Sequence, residues 1–201
     1  MPSQPTPQDW STKRSKDSIE DPGFTSEELL QRQLLTFGGG TFRNQTMIGT
    51  EWRVGTNLSG IKFLDCTLSG SDFSQCDLRN SSFVGSRFVT ASFISVNAEG
   101  ADFSKVTGPA SDFMAATLRK ARFVGASIVS SDFRGADLRG ADFTGAVLSE
   151  SRFCAANLEG AVLTDAILDG ADFTGATMPD GSLYRDPKAE LIVLPVAKDA
   201  A

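Results

Sequence analysis

A large apolar residue recurs at every fifth position for more than one hundred residues, and that spacing rules out both regular secondary structures. From Leu58 to Leu183 the fifth residue is Leu, Phe, Ile or Met with two exceptions, Ala98 and Gly108. On an α-helix five residues rotate by about 500°, so no apolar stripe forms. On a straight strand, side chains alternate with period two, and successive large residues would face opposite sides. The chain must therefore change direction about once per pentad to keep every large residue inside. A small residue two places earlier (Cys66, Ser71, Cys76, Ser81, Ser86, Ala91) fits an inward site with little room. Short-period self-similarity of this kind predicts a solenoid.

The register runs unbroken over 58–183. Phe37, Phe42, Met47 and Trp52 keep the spacing in a different phase, so one extra residue within 53–57 marks a bulge or small loop. The motifs "GADLRGADFTG" (135–145) and "DGADFTG" (169–175) resemble the consensus A-D/N-L/F-x-x of the pentapeptide-repeat family. The resemblance implies an all-β fold, a right-handed parallel quadrilateral β-helix in which four pentads make one square coil. It covers 58–183 and extends weakly to 37–52.

Coils of about twenty residues sort the core into columns. Phe73, Phe93, Phe113, Phe133, Phe153 and Phe173 form one ladder, and Phe63, Phe83, Phe103, Phe123 and Phe143 a second; the other columns are mostly Leu. Roughly seven coils at about 4.8 Å give a rod on the order of 35 Å long. Gly108 leaves a gap in a leucine column, and Phe88, one coil below, is expected to fill it.

Residues 1–23 are polar and Pro-rich and read as a disordered arm. Thr25 and Glu28 form a helix-start signature, with Phe24 and Leu29 as a staple, so 24–36 is expected to be a capping helix. The β-helix is expected over 37–185, with "MPDGSLY" (178–184) breaking the repeat. Residues 186–201 form a tail or cap whose "ELIVLPV" (190–196) either folds over the last coil or joins two copies into a homodimer.

Composition narrows function. The net charge of −6 argues against direct nucleic-acid binding. No stretch is long and apolar enough to span a bilayer, and the first residues lack a signal-peptide core, so the expected location is cytoplasmic. Histidine is absent, which removes the commonest general base and metal ligand. Cys66 and Cys76 sit at inward positions and Cys154 faces outward, and none has a histidine partner for catalysis or zinc. "FGGGTF" (37–42) lacks the context of a phosphate loop and reads as a glycine-rich turn. The aspartates before the large residues (among them Asp102, Asp137 and Asp142) are expected to bond to turns rather than act as acids or bases. No enzyme, cofactor or metal is expected.

The outward positions carry the remaining information. Asp72, Asp112, Asp132 and Asp172 line one side as an acidic face broken by Arg134 and Arg152, and Arg79, Glu99, Arg119, Arg139 and Glu159 form a mixed ladder on another. Val84, Val89 and Ile94 wrap three successive sides at mid-rod, with Met114, Val124 and Val129 above them, as a candidate partner-binding patch. The expected function is a protein-binding or scaffold module. The resemblance also implies an alternative, a DNA mimic that binds type II topoisomerase (gyrase) and protects or inhibits it. Residues 58–183 hold 15 acidic and 10 basic side chains; a DNA rod of that length would present roughly twenty charges. A second alternative is a secreted or localised effector addressed through its N-terminal arm.

Overall fold

A computed structural model describes residues 40–185. The expected arm (1–23), cap helix (24–36) and C-terminal segment (186–201) lie outside these residues. Two strands, β1 (Thr41–Arg43) and β2 (Lys62–Leu64), pair in parallel. Above them the chain is a stack of parallel bridges, each linking residue i to residue i+20, from Asn57↔Asp77 to Asn157↔Thr177. The fold is the expected parallel β-helix with four short sides per coil, and one coil is one complete circuit.

The phase shift is also where the spacing placed it. Thr41↔Lys62, Thr46↔Thr67 and Glu51↔Asp72 pair at an offset of 21, whereas Asn57↔Asp77 begins the offset of 20. The extra residue is absorbed in a turn in which the Thr56 amide and hydroxyl both donate to the Arg53 carbonyl, at 2.9 and 2.6 Å. The core columns survive the insertion: Phe42 stacks on Phe63 at 5.4 Å and Trp52 on Phe73 at 5.8 Å.

Inside, the two phenylalanine ladders touch. Within a ladder the rings lie parallel, as for Phe93 and Phe113 (4.7 Å, 3°) and Phe103 and Phe123 (4.9 Å, 7°). Between ladders they meet edge to face, as for Phe103 and Phe113 (5.8 Å, 86°). Both arrangements suit the ring quadrupole, so each layer reinforces the next beyond the burial of apolar area. The gap at Gly108 is filled as expected. A Cβ at position 108 would overlap the Phe88 ring at Cε2 and Cδ2.

The small inward column also bonds between layers. The hydroxyls of Ser111, Ser131 and Ser151 donate to the carbonyls of Phe88, Gly108 and Ile128 in the coil below. Cys66 and Cys76 occupy equivalent inward sites and are buried. Burial, and after it the Asp72 carboxylate, push the Cys76 thiol up to about 11, which leaves it unreactive. Each side ends in a corner residue with positive φ, including Thr90 (54°) and Ala110 (55°) as well as many glycines and the asparagines Asn44 and Asn80.

The repeat breaks at 178–184. Thr177 pairs with Leu183 in antiparallel sense, the Tyr184 amide donates to the Ala176 carbonyl at 2.8 Å, and the Tyr184 ring lies 5.7 Å from Phe173.

Candidate protein-interaction surface

Every pentad turns three positions outward, one on each side of the large inward residue and a third at the corner that follows. The first is the aspartate or asparagine position, and its fixed role is local. The Oδ1 atoms of Asp72, Asp102, Asp112, Asp142 and Asp172 accept the amide N–H two residues on, at 2.8–3.0 Å. Each bond satisfies a donor that turns away from the ladder, so these carboxylates are structural. Asp172 illustrates the electrostatics: the hydroxyl and then the amide of Thr174, followed by the Cys154 thiol, hold its carboxyl at about 2. The thiol is outward, as expected, and donates at 3.1 Å.

The four aspartates of the acidic face do share one column, which runs Asp72, Ser92, Asp112, Asp132, Arg152, Asp172. Only Asp112 and Asp132 are direct neighbours. Asp132 is also the most neutralised: Arg134 approaches to 2.7 Å and Arg152 to 3.9 Å. Burial pushes its carboxyl up, and the Arg134 guanidinium and amide more than reverse that. The acidic line is thus split into short pieces.

The mixed ladder pairs differently from its expected form. Arg79 and Arg139 each close on the aspartate two residues before them, Asp77 (2.6 Å) and Asp137 (2.7 Å), and Arg119 reaches up one coil to Asp137 at 2.6 Å. These contacts, with Arg139 leading, hold Asp137 well below the usual carboxylate range. The reason is geometric, since two of the outward positions of one pentad flank the same inward side chain.

The six candidate patch residues, Val84, Val89, Ile94, Met114, Val124 and Val129, are all half-buried. Met114 lies under Arg134, whose Nη2 is 3.9 Å from its sulfur. Val89 and Val129 stand in one column with Pro109 between them; the Thr90 amide donates to the Pro109 carbonyl and the Ala110 amide to that of Val129. This side of the rod, built on Leu68, Phe88, Ile128 and Leu148, bears no charged residue between Arg87 and Glu150. The opposite side, built on Leu78, Leu118 and Leu138, carries Asp77, Arg79, Glu99, Arg119, Lys120, Asp137 and Arg139.

Sequence reasoning missed two apolar residues of this column, Val147 within the uncharged stretch and Ile167 one coil above it, beyond Glu150. Both stand at the aspartate position, where an apolar residue departs from the repeat; that departure was the available signal. The most exposed large apolar residues lie toward the two ends: Ile48 and Val54 at one, Val162, Ile167 and Leu183 at the other.

The sequence profile described as "Pentapeptide repeat region" matches residues 56–133, and "Pentapeptide repeats (8 copies)" matches 146–180, together more than half of the chain. No curated protein matches. Among solved structures, the chain is similar to HetL, a pentapeptide repeat protein involved in heterocyst differentiation regulation from Nostoc sp. strain PCC 7120. That match has 21% identity and a TM-score of 0.25, covering 80% of this chain and 100% of HetL. A pentapeptide repeat protein from the Arabidopsis thaliana thylakoid lumen matches at 24% identity and a TM-score of 0.27, over 70% and 74% of the two chains. Full-length QnrB1, a plasmid-mediated fluoroquinolone resistance protein, matches at 20% identity and a TM-score of 0.26, over 76% and 97%.

Proposed function

Because this chain belongs to the pentapeptide-repeat family, we propose that it is a non-enzymatic protein-binding module whose partner rests on the uncharged side of the rod. The observation that carries this reading is the contrast between two sides of one coil. One is laced with ion pairs, and the other presents Val89, Pro109, Val129 and Val147, with hydroxyl-bearing and small residues between them and charge only at the two limits, Arg87 and Glu150. Desolvating an uncharged surface costs little, whereas covering the charged side would strip water from paired carboxylates and guanidinium groups. A stacked solenoid also loses little conformational freedom on binding, which preserves affinity from a modest surface.

The test is quantitative affinity capture with the native chain, the Val89→Lys/Val129→Lys variant, and a Thr164→Lys control on a neighbouring side. Loss of the same captured proteins from the double variant, and their retention by the control, is expected. Equal recovery by all three would overturn the reading.

The gyrase reading draws on the neighbouring carboxylates of Asp112 and Asp132, and on the resistance activity named for QnrB1. Against it stand Arg152 on the same column and Arg134 beside Asp132, across Phe133. A supercoiling assay with and without a fluoroquinolone decides it. Protection that Asp112→Lys removes would replace the present proposal.

A further inference from the structure

The uncharged side has a definite size and a definite polarity, and together they restrict what can lie on it. It is built on Phe88, Gly108, Ile128 and Leu148, one coil apart, and Ile167, 47% exposed, extends its apolar surface one coil further. At about 4.8 Å per coil and about 3.3 Å per residue across, the stretch measures roughly 20 Å by 10 Å. A stable interface between globular surfaces takes about 800 Å² from each partner, several times that footprint. A second copy or a flat domain would have to spread past the corners, onto sides that carry the Arg122–Asp102 and Arg134–Asp132 pairs. Stripping water from those groups works against it. A single helix, about 10 Å across with its side chains, fits the side alone.

The spacing agrees with a helix. Val89, Pro109 and Val129 stand in one column, linked through the Thr90 and Ala110 amides. Helix residues three and four apart lie about 5–6 Å from each other and keep step with that column. An extended chain repeats on one face only every 6.6 Å or so and loses step within two coils.

Polarity comes from charge. Elsewhere the aspartates stand before the large residue and bond to the turn, but three carboxylates at the C-terminal limit do not. Glu150 and Asp165 occupy corners, and Asp169 follows the large residue Leu168. Glu150 accepts a bond from the Ser130 hydroxyl at 3.1 Å. Asp165 and Asp169 have no ion pair among the described residues, and all three are exposed. The opposite limit is marked by a cation, Arg87. We infer that the occupant of this side is one amphipathic helix of the partner, apolar along one stripe and carrying lysine or arginine at the end that lies over Glu150, Asp165 and Asp169. Arg87 repels that basic end, so the helix has one direction along the rod. The inference rests on the reading that the partner sits on the uncharged side, and adds to it the partner's chemistry and orientation.

The experiment measures, by fluorescence anisotropy, the binding of two synthetic helical peptides of about fourteen residues to the full chain. Both share one leucine stripe; one has a lysine-rich end and the other a glutamate-rich end. The native chain is expected to bind the lysine peptide about tenfold more tightly, and Glu150→Lys/Asp165→Lys/Asp169→Lys to reverse the order. Corners already accept lysine at Lys105 and Lys120, so that variant is expected to keep the native melting temperature. Val89→Lys/Val129→Lys is expected to weaken both peptides, and Asp112→Asn/Asp132→Asn, on another side, to change neither. No binding, equal affinity for the two peptides, or a preference that survives the triple variant would overturn the inference. If Val89→Lys/Val129→Lys still abolished affinity capture, the uncharged side would stand as the partner's site without this helix. A preference lost in Asp112→Asn/Asp132→Asn would move the basic end to the acidic face and overturn the inference as well. Peptide binding indifferent to Val89→Lys/Val129→Lys, together with unchanged capture, would overturn both readings.

Discussion

The middle of the rod and its last coil are built from the same pentad, yet they differ in what the pentad achieves. At Phe113 and Phe133 the ring is fully buried, stacked at 4.8 Å with its plane within 1° of its neighbour, and bracketed by hydrogen-bonded layers above and below. At Leu163 and Leu168 the same inward position is half-buried, because nothing among the described residues lies on top. The difference teaches that a repeat does not bury its own large residue. The next coil does, and the worth of each position depends on having neighbours on both sides.

Substitutions can test that contrast most strongly in the core. Phe113→Ala is expected to cost about 3–5 kcal/mol, whereas Leu163→Ala costs roughly 1–2 kcal/mol because water already reaches its side chain. Chemical denaturation of the two variants measures both, and equal costs would remove the distinction between middle and end. A smaller effect probes packing within the middle. Gly108→Leu alone is expected to cost about 1–3 kcal/mol, since the new side chain enters the space of the Phe88 ring. Combined with Phe88→Leu, which restores the leucine column, the cost falls well below the sum; strict additivity would show that the two sites are independent.

The smallest effect is that of pH. The carboxyls of Asp77, Asp132, Asp137, Asp142 and Asp172 are all held below their ordinary range in the fold. A lowered folded value contributes stability above the unfolded value of about 4, which is lost as pH falls through the folded one. Because no histidine titrates between, the melting temperature is expected to stay level from about pH 8 to 5 and fall between about 4 and 2. A step near pH 6.5 would contradict this account.

Much of the fold could be read directly because its period is short and its core simple. The coil columns, the extra residue at 53–57 and the Phe88–Gly108 exchange all follow from spacing and side-chain volume. The surface was less legible. Spacing says whether Val84 or Val129 points outward, but exposure depends on the coils above and below. That is why mid-rod valines are half-buried while Val162 and Ile167, outward residues of the last coil, are exposed. Ion pairing was misjudged for a related reason. Arg139 was expected to stack with Glu159 along its column, but Asp137 stands closer, across the same inward leucine. The direction of the chain after Met178 was hidden too, since "MPDGSLY" signals a break without saying that the strand turns back.

The corners hold the rod's unused stability. Threonine at 90 and alanine at 110 occupy a left-handed backbone that L-residues with a Cβ resist by roughly 1–2 kcal/mol, and a β-branched side chain resists it most. With the interior already filled ring upon ring, any evolution or engineering toward a more heat-resistant protein has little left to gain at the centre. It would proceed by placing asparagine or glycine at these bends, leaving the outward-facing lattice unchanged.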